Sequence, residues 1–172
     1  MALKSDRNEF QTDISFFMNE TATRGGVVSY STGGSGAAMD QGQALCTYAA
    51  NASGAVPLGL LLNDMVNIDL TRQHLNWHKD EVQKGGKVTL LRKGWVVTSS
   101  IEGADPAAGG LAFVAHSGNV AASDLMRDDA DMDGQTRIVG RWLSSPDQDG
   151  YAKLEVSLPN VHPASGYHKQ NL

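Results

Sequence analysis

The amino-acid sequence predicts a mainly β fold: a small β-sandwich or barrel with an extended N-terminal arm and one short helical or loop insert. Glycine accounts for 19 of the 172 residues, and charged residues for only 19%. Abundant glycine with sparse charge favours a turn-rich β protein over a helical bundle. The order of the residues points the same way, because short apolar stretches alternate with turn-forming residues along most of the chain.

The first 24 residues are polar and charged around one apolar group. This group contains Ile14, Phe16, Phe17 and Met18, and no sustained helical period surrounds it. We interpret the segment as an extended arm whose apolar side chains need a cover. A short helix packed on the chain's own domain is the alternative interpretation.

The chain after this arm reads as one β domain followed by a polar tail. We therefore predict three parts: an N-terminal arm (1–24), a β domain (25–159) and a C-terminal tail (160–172). The expected strands cover residues 27–30, 45–49, 58–62, 65–68, 87–91, 95–98, 111–115, 120–122, 138–143 and 151–158.

Three details refine this strand prediction. Residues 92–94 and 116–119 contain glycine and predict two hairpin turns. Residues 151–158 alternate apolar and polar side chains, which is typical of a strand with one side in water. Residues 69–83 break the pattern, because polar residues surround a few apolar ones, and here we expect a helical turn or a long loop.

Net charge, cysteine content and the lack of targeting patterns limit which partners and which compartment we expect. The formal net charge is −5, whereas nucleic-acid-binding domains normally carry a basic excess. Cys46 is the only cysteine, so no internal disulfide forms and a small buried side chain is expected. The start of the chain lacks a signal-peptide pattern, and the apolar run 55–62 is too short to cross a membrane. We expect a soluble protein, made in a reducing compartment, with no nucleic-acid or membrane partner.

An aspartate-rich segment resembles the first half of a calcium loop. Asp129, Asp131, Asp133 and Gly134 have the spacing with which an EF-hand begins. The bidentate carboxylate that closes such a loop is replaced by Gly140, so an EF-hand is excluded. A partial calcium site and a solvated acidic turn both remain open.

Catalytic motifs are incomplete. His74 and His78 have the spacing of two zinc ligands, but Leu75 stands where a zincin has glutamate. Ser35 lies in a glycine-rich loop, but Ala37 breaks the nucleophile-elbow pattern. We therefore predict no catalytic, cofactor-binding or metal site and no cofactor. We also predict that the protein is not an enzyme.

Two parts of the sequence share their strand-and-glycine pattern with a known family. The first comprises residues 56–68 and 85–96; the second comprises residues 138–143, an acidic glycine turn, and residues 151–159. Over about residues 25–159 the chain resembles the head decoration, or capsid cement, proteins of tailed bacteriophages. The resemblance implies a structural virion protein that is made in the host cytoplasm. It would bind the outer capsid surface and stabilise contacts between major capsid subunits.

The same resemblance suggests partners and contact residues. The partners would be the major capsid protein and further copies of this chain, as a trimer preferentially or as a dimer. The arm could add a strand to a capsid sheet. Aromatic anchors and their polar partners would complete the expected interface. For each tryptophan, the alternative is that it packs in the core of the chain's own fold. The candidates are Phe16, Phe17, Met18, Arg72, Trp77, Arg92 and Trp95.

Two other classes of function stay open at the sequence level. One is a receptor- or glycan-binding β domain of a head fibre or tail tip, for which Tyr30, Tyr48 and Tyr151 could form an aromatic platform. The other is a trimeric β-barrel enzyme with a metal site at its subunit boundaries. Its candidate ligands would be His74, His78 and the aspartates of 129–133.

The expected self-association gives a first test. We predict that the purified protein has the mass of a homo-oligomer, preferentially a trimer, because association buries the edges of small β domains. Light scattering during size-exclusion chromatography measures this mass. A monomer would count against the prediction.

Overall fold

A computed structural model describes residues 3–31, 45–51, 55–62, 68–69, 74–75, 80–123 and 138–158 of the chain. It confirms the predicted mainly β class. In these residues the helical structure is a single 3-10 turn, His116–Gly118. The strands are β1 (Leu3–Asp13), β2 (Phe17–Met18), β3 (Ala22–Thr23), β4 (Val27–Tyr30), β5 (Leu45–Thr47), β6 (Pro57–Leu62), β7 (Ile68–Asp69), β8 (His74–Leu75), β9 (Glu81–Val82), β10 (Thr89–Thr98), β11 (Ile101–Glu102), β12 (Leu111–Val114), β13 (Val120–Ala121), β14 (Ile138–Trp142) and β15 (Ala152–Ser157).

Most strands belong to one mixed sheet of eleven. Its order is β11-β13-β12-β14-β15-β10-β6-β4-β5-β2, and β1 pairs with β10 beside this path. The β2–β5 and β11–β13 pairs are parallel and the others antiparallel. The described sheet is open at both ends, so it is not a closed barrel. Two small antiparallel pairs, β3–β9 and β7–β8, stand apart from it, and both include residues of the expected helical or loop insert.

One predicted turn is wrong. Residues 92–94 do not separate two strands, because β10 runs unbroken from Thr89 to Thr98. Gly94 lies inside this strand with φ +148°, and a Cβ there would clash with the backbone carbonyl of Asn8. The glycine therefore permits close approach of β1 instead of a reversal of the chain. The predicted turn at 116–119 is confirmed and connects the antiparallel strands β12 and β13.

Buried side chains form two cores. β6 explains why there are two, because its side chains are buried all along the strand: Leu60 and Leu62 enter one core and Leu61 the other. A strand covered on both sides reads as an unbroken apolar run. The large core contains Leu3, Val27, Ala55, Leu60, Leu62, Leu91, Val96, Ala112, Val114, Val120, Val139, Trp142, Ala152, Leu154, Val156 and Leu158; the small core contains Met18, Ala22, Val28, Cys46, Leu58, Leu61, Val82, Val88 and Leu90.

Two local predictions about the cores are confirmed. Cys46 is fully buried, and burial raises the pKa of its thiol to about 12. β15 alternates as expected, with Leu154 and Val156 in the large core and Glu155 exposed between them.

The described part of the arm is extended, as expected, and contributes strands to the sheets. Two of its apolar residues are covered within the chain, since Leu3 lies in the large core and Met18 in the small one, both 0% exposed, whereas Ile14 is 52% exposed. The boundary between arm and β domain at residue 24 stays a prediction.

Tyr48, one residue after β5, holds the segment that leads from β2 to β4. Its hydroxyl donates to the Thr23 carbonyl at 2.5 Å and accepts from the Gly26 N–H at 3.1 Å. Glu20 accepts the backbone N–H of Tyr48 at 2.6 Å, and the ring packs where Gly118 has no side chain. Burial raises the pKa of the Tyr48 phenol above its ordinary value, so it remains a donor.

We predict that Tyr48→Phe lowers the free energy of unfolding by about 2 kcal/mol, because a carbonyl and an N–H lose their partner. Tyr30→Phe is the matched control, since Tyr30 is 51% exposed, and it should change stability by less than about 0.5 kcal/mol. Urea unfolding of the two variants measures the difference. Equal midpoints would show that the Tyr48 hydroxyl does not hold the segment between β2 and β4.

Candidate functional site

Four neighbouring strands, β12, β14, β15 and β10, turn one side toward the large core and the other toward solvent, and β1 extends this surface beside β10. On β10, Val96 and Thr98 are fully buried, whereas Lys93 is exposed and Trp95 half-buried. β15 repeats this alternation, with Glu155 on the exposed side. We call the solvent side of these five strands the outer face.

A row of side chains crosses the outer face from β1 to β12. In the register of the strands, Asn8, Trp95, Glu155, Arg141 and Leu111 follow one another as opposite residues. Neighbouring strands lie about 4.8 Å apart, so the row is about 19 Å long. A standard protein–protein interface covers roughly 800 Å² on each partner, a patch about 28 Å across, so the row would span about two-thirds of such a patch.

Trp95 is fixed at the surface by a lysine on the next strand. The ammonium nitrogen of Lys153 lies 3.4 Å from the centroid of the Trp95 ring. Such a cation–π contact contributes about 0.5–1 kcal/mol at an exposed site. Trp95 therefore presents an ordered aromatic edge on the outer face and belongs to neither core.

Arg141 is a second ordered side chain of the row. Its Nη1 donates to the Gly109 carbonyl at 2.6 Å, and two exposed leucines flank it. Leu111 lies opposite Arg141 and is 40% exposed, while Leu143 follows two residues later and is 39% exposed. Tryptophan and arginine are the residue types most enriched at energetically important protein contacts.

Ion pairs at both ends fasten β1 beside this face. Near its start, Lys4 Nζ lies 2.7 Å from Asp147 Oδ2 and 4.2 Å from the centroid of the Tyr151 ring. Near its end, Asp13 Oδ2 lies 3.3 Å from Nη1 of Arg92. Arg92, predicted as a polar contact for a partner, thus holds the chain's own N-terminal strand.

These pairs shift the pKa values of the groups that form them. The hydrogen bond from Lys4 lowers the pKa of Asp147 below its ordinary value, and the same bond raises the pKa of Lys4. Partial burial raises the pKa of Asp13, but hydrogen bonds from Ser15 and the charge of Arg92 outweigh it, and the net shift is downward. The charged forms are therefore favoured at both ends of β1.

The other predicted contact residues lie in different surroundings. Phe17 is 8% exposed and Met18 0%, and the half-buried Phe16 packs edge-on against Tyr30 with ring centroids 5.9 Å apart. A partner contact at these three residues stays a prediction. Arg72 and Trp77 lie outside the described residues.

Sequence reasoning missed Phe10, which is 75% exposed. It is the extra residue of a bulge, because its neighbours Glu9 and Gln11 lie opposite the adjacent residues Gly94 and Lys93. A bulge redirects a side chain out of the regular alternation. The available signal was an isolated aromatic residue in an otherwise polar segment.

The described residues contain neither a metal-ligand cluster nor a helix able to cross a membrane. Within the described residues no three His, Cys, Asp or Glu side chains come together in a way that could hold a metal ion. The aspartates of 129–133 and the side chains of His74 and His78 lie outside those residues. No helix of the described chain is long and apolar enough to cross a membrane.

One histidine–carboxylate pair is present in the described chain. Glu102 accepts the backbone N–H of His116 at 3.0 Å, and its other oxygen lies 2.8 Å from Nδ1. Both contacts fix the 3-10 turn, in which Ser117 has φ 54°. The pair therefore stabilises the connection between β12 and β13.

The described structure is thus a mainly β fold with a broad, ordered outer face. The sequence matches the family model Phage_cement, described as structural cement protein (E217 gp24/Pam3 gp6), over residues 8–157. The chain therefore belongs to this family, and the predicted resemblance is confirmed. Membership gives the protein a structural role in the phage capsid. Among curated proteins, none matches this sequence.

The ion pair of Asp13 with Arg92 predicts that the stability of the protein depends on pH. Because the pKa of Asp13 is lowered by folding, its stabilisation is present above the ordinary carboxyl pKa of about 3.9 and disappears as the pH falls through the lowered value. We predict that Asp13→Asn destabilises the protein by about 1 kcal/mol at neutral pH and has little effect in strong acid.

Asp6→Asn is the matched control, since Asp6 is exposed on the same strand. Unfolding of the three proteins is measured across the acid range. An Asp13→Asn effect that does not change with pH would contradict the role of its charge.

Proposed function

We propose that this protein binds the outer surface of a phage head and stabilises contacts between major capsid subunits, without catalytic activity. The observation that carries the proposal is the family match over residues 8–157, which includes residues 8–13 of β1 and all of the other four strands of the outer face. A cement protein needs a rigid body and an adhesive surface. The large core beneath the outer face supplies the rigidity.

The outer face is our candidate for the capsid contact. Its row combines an aromatic residue, an arginine and an exposed leucine with side chains of both charges, which suits a contact with an apolar centre and a polar rim. Each copy needs only modest affinity. Copies repeated by the symmetry of a head are held together by avidity.

Self-association, preferentially as a trimer, is part of the proposal. The described sheet ends in short strands at β11 and β2, and natural proteins cover or pair such edges. Contacts between neighbouring copies on the head would cover them. The predicted contacts of Phe16, Phe17, Met18, Arg72, Trp77 and Arg92 belong to the same proposal, with Trp95 as its central residue.

The glycan-binding alternative needs an exposed aromatic platform, and the three candidate tyrosines support it less well than the outer face supports a capsid contact. Tyr48 is packed against Gly118, and Tyr151 lies beneath Lys4. Among the three, Tyr30 alone is more than half exposed.

A reconstitution experiment tests the proposal. Expanded heads that lack this protein are incubated with it, and we expect saturable binding together with greater resistance of the heads to heat or force. We predict that Trp95→Ala lowers the affinity per site at least tenfold, a loss of about 1.4 kcal/mol or more. Leu111→Ser should act in the same direction.

Val56→Ser is the matched control, because Val56 is a 52% exposed apolar residue away from the outer face. All variants are first compared by urea unfolding. If binding were lost with Val56→Ser and kept with Trp95→Ala, the capsid contact would not lie on the outer face. Wild-type protein that does not bind heads would overturn the proposed function itself.

A further inference from the structure

The N-terminal strand β1 is long but weakly embedded. It covers eleven residues and pairs with β10, and no second strand of the described chain pairs with it. Of its described side chains, Leu3 alone is buried, and the five residues 8–12 are all exposed. The chain therefore attaches β1 by backbone hydrogen bonds, one apolar anchor and the ion pairs at its two ends.

The pairing of β1 with β10 is also irregular. The register shifts three times, between Leu3 and Arg7, between Glu9 and Gln11, and between Gln11 and Thr12. Each shift interrupts the ladder of hydrogen bonds. Detaching β1 thus costs less than detaching a regular strand of the same length.

Residues 14–16 join β1 to β2, and the first two of them, Ile14 and Ser15, are exposed. The Ser15 N–H donates to Oδ1 of Asp13 at 2.8 Å, so a local side-chain turn sets the direction in which β1 leaves. Extending this connection breaks few contacts.

We infer that β1 is an exchangeable arm, which pairs with β10 of a second copy of this chain as well as with its own. The second copy is the fitting partner because the features that receive β1 form one set. They are the large-core position of Leu3, the carboxylate of Asp147 and the guanidinium of Arg92, and another copy presents the same three in the same arrangement. Exchange keeps every such contact while it links two copies.

A foreign strand added to the outer edge of β1 fits the structure less well. Five of its eleven residues are charged, and three register shifts distort its pairing with β10. Charges and bulges are the devices by which natural edge strands resist pairing. The exposed edge of β1 is protected, whereas its attachment to β10 is weakened by the register shifts.

Engineered cysteines distinguish exchange from pairing within one chain. Gln11 and Lys93 are opposite residues of β1 and β10, and opposite Cα atoms lie about 4.5–5.5 Å apart, within reach of a disulfide. Gln11→Cys protein and Lys93→Cys protein, carrying different tags, are mixed as native samples and also refolded together. Cys46 does not compete, because its thiol is fully buried and burial raises its pKa to about 12.

Under mild oxidation we expect a covalent heterodimer severalfold more abundant than in a mismatched mixture of Gln11→Cys with Asp105→Cys. Asp105 is exposed and lies opposite no residue of β1. The double variant Gln11→Cys/Lys93→Cys should form the disulfide both within and between chains.

Two results would overturn the inference. One is a double variant that closes only within a chain, with a matched mixture no richer in heterodimer than the mismatched one. The other is a double variant that forms no disulfide, since β1 would then not lie on β10. Neither result depends on whether the protein binds heads, so the proposed capsid function is tested separately.

Discussion

The architecture depends on β10, which joins a half of the sheet that is buried on both sides to a half that buries one side and exposes the other. Its first residues pair with β6 and its later residues with β15, while β1 follows the whole strand on the other edge. Leu90 enters the small core and the adjacent Leu91 the large core, so the strand is covered on both sides where the halves meet. At Gly94 only a residue without a side chain allows β1 to approach closely.

This arrangement suits a structural protein. The large core lies directly beneath the outer face, so side chains such as Trp95 and Arg141 stand on a closely packed support. Lys153 and the Gly109 carbonyl then fix their positions. An ordered surface loses little conformational entropy when it binds, and this favours adhesion through many small contacts.

The N-terminal strand follows a different principle. Backbone pairing, one anchored leucine and two ion pairs keep it attached, and little apolar burial supports it. Stability is not uniform along a chain, and segments with few buried contacts open at the lowest cost. A cement protein can therefore combine a rigid body with one adaptable segment, and the bulge at Phe10 gives that segment its own exposed aromatic residue.

The sequence by itself determined the mainly β class, the alternating last strand, the buried cysteine and the family, because these depend on composition, periodicity and local pattern. Tertiary structure decided the continuity of β10 and the roles of Arg92 and Phe10. Glycine within a turn-like triplet permits a reversal or a close approach equally well, and only the neighbouring β1 selects between them. Arg92 binds Asp13, which is distant in sequence, and Phe10 is exposed by a register shift; no local pattern encodes either.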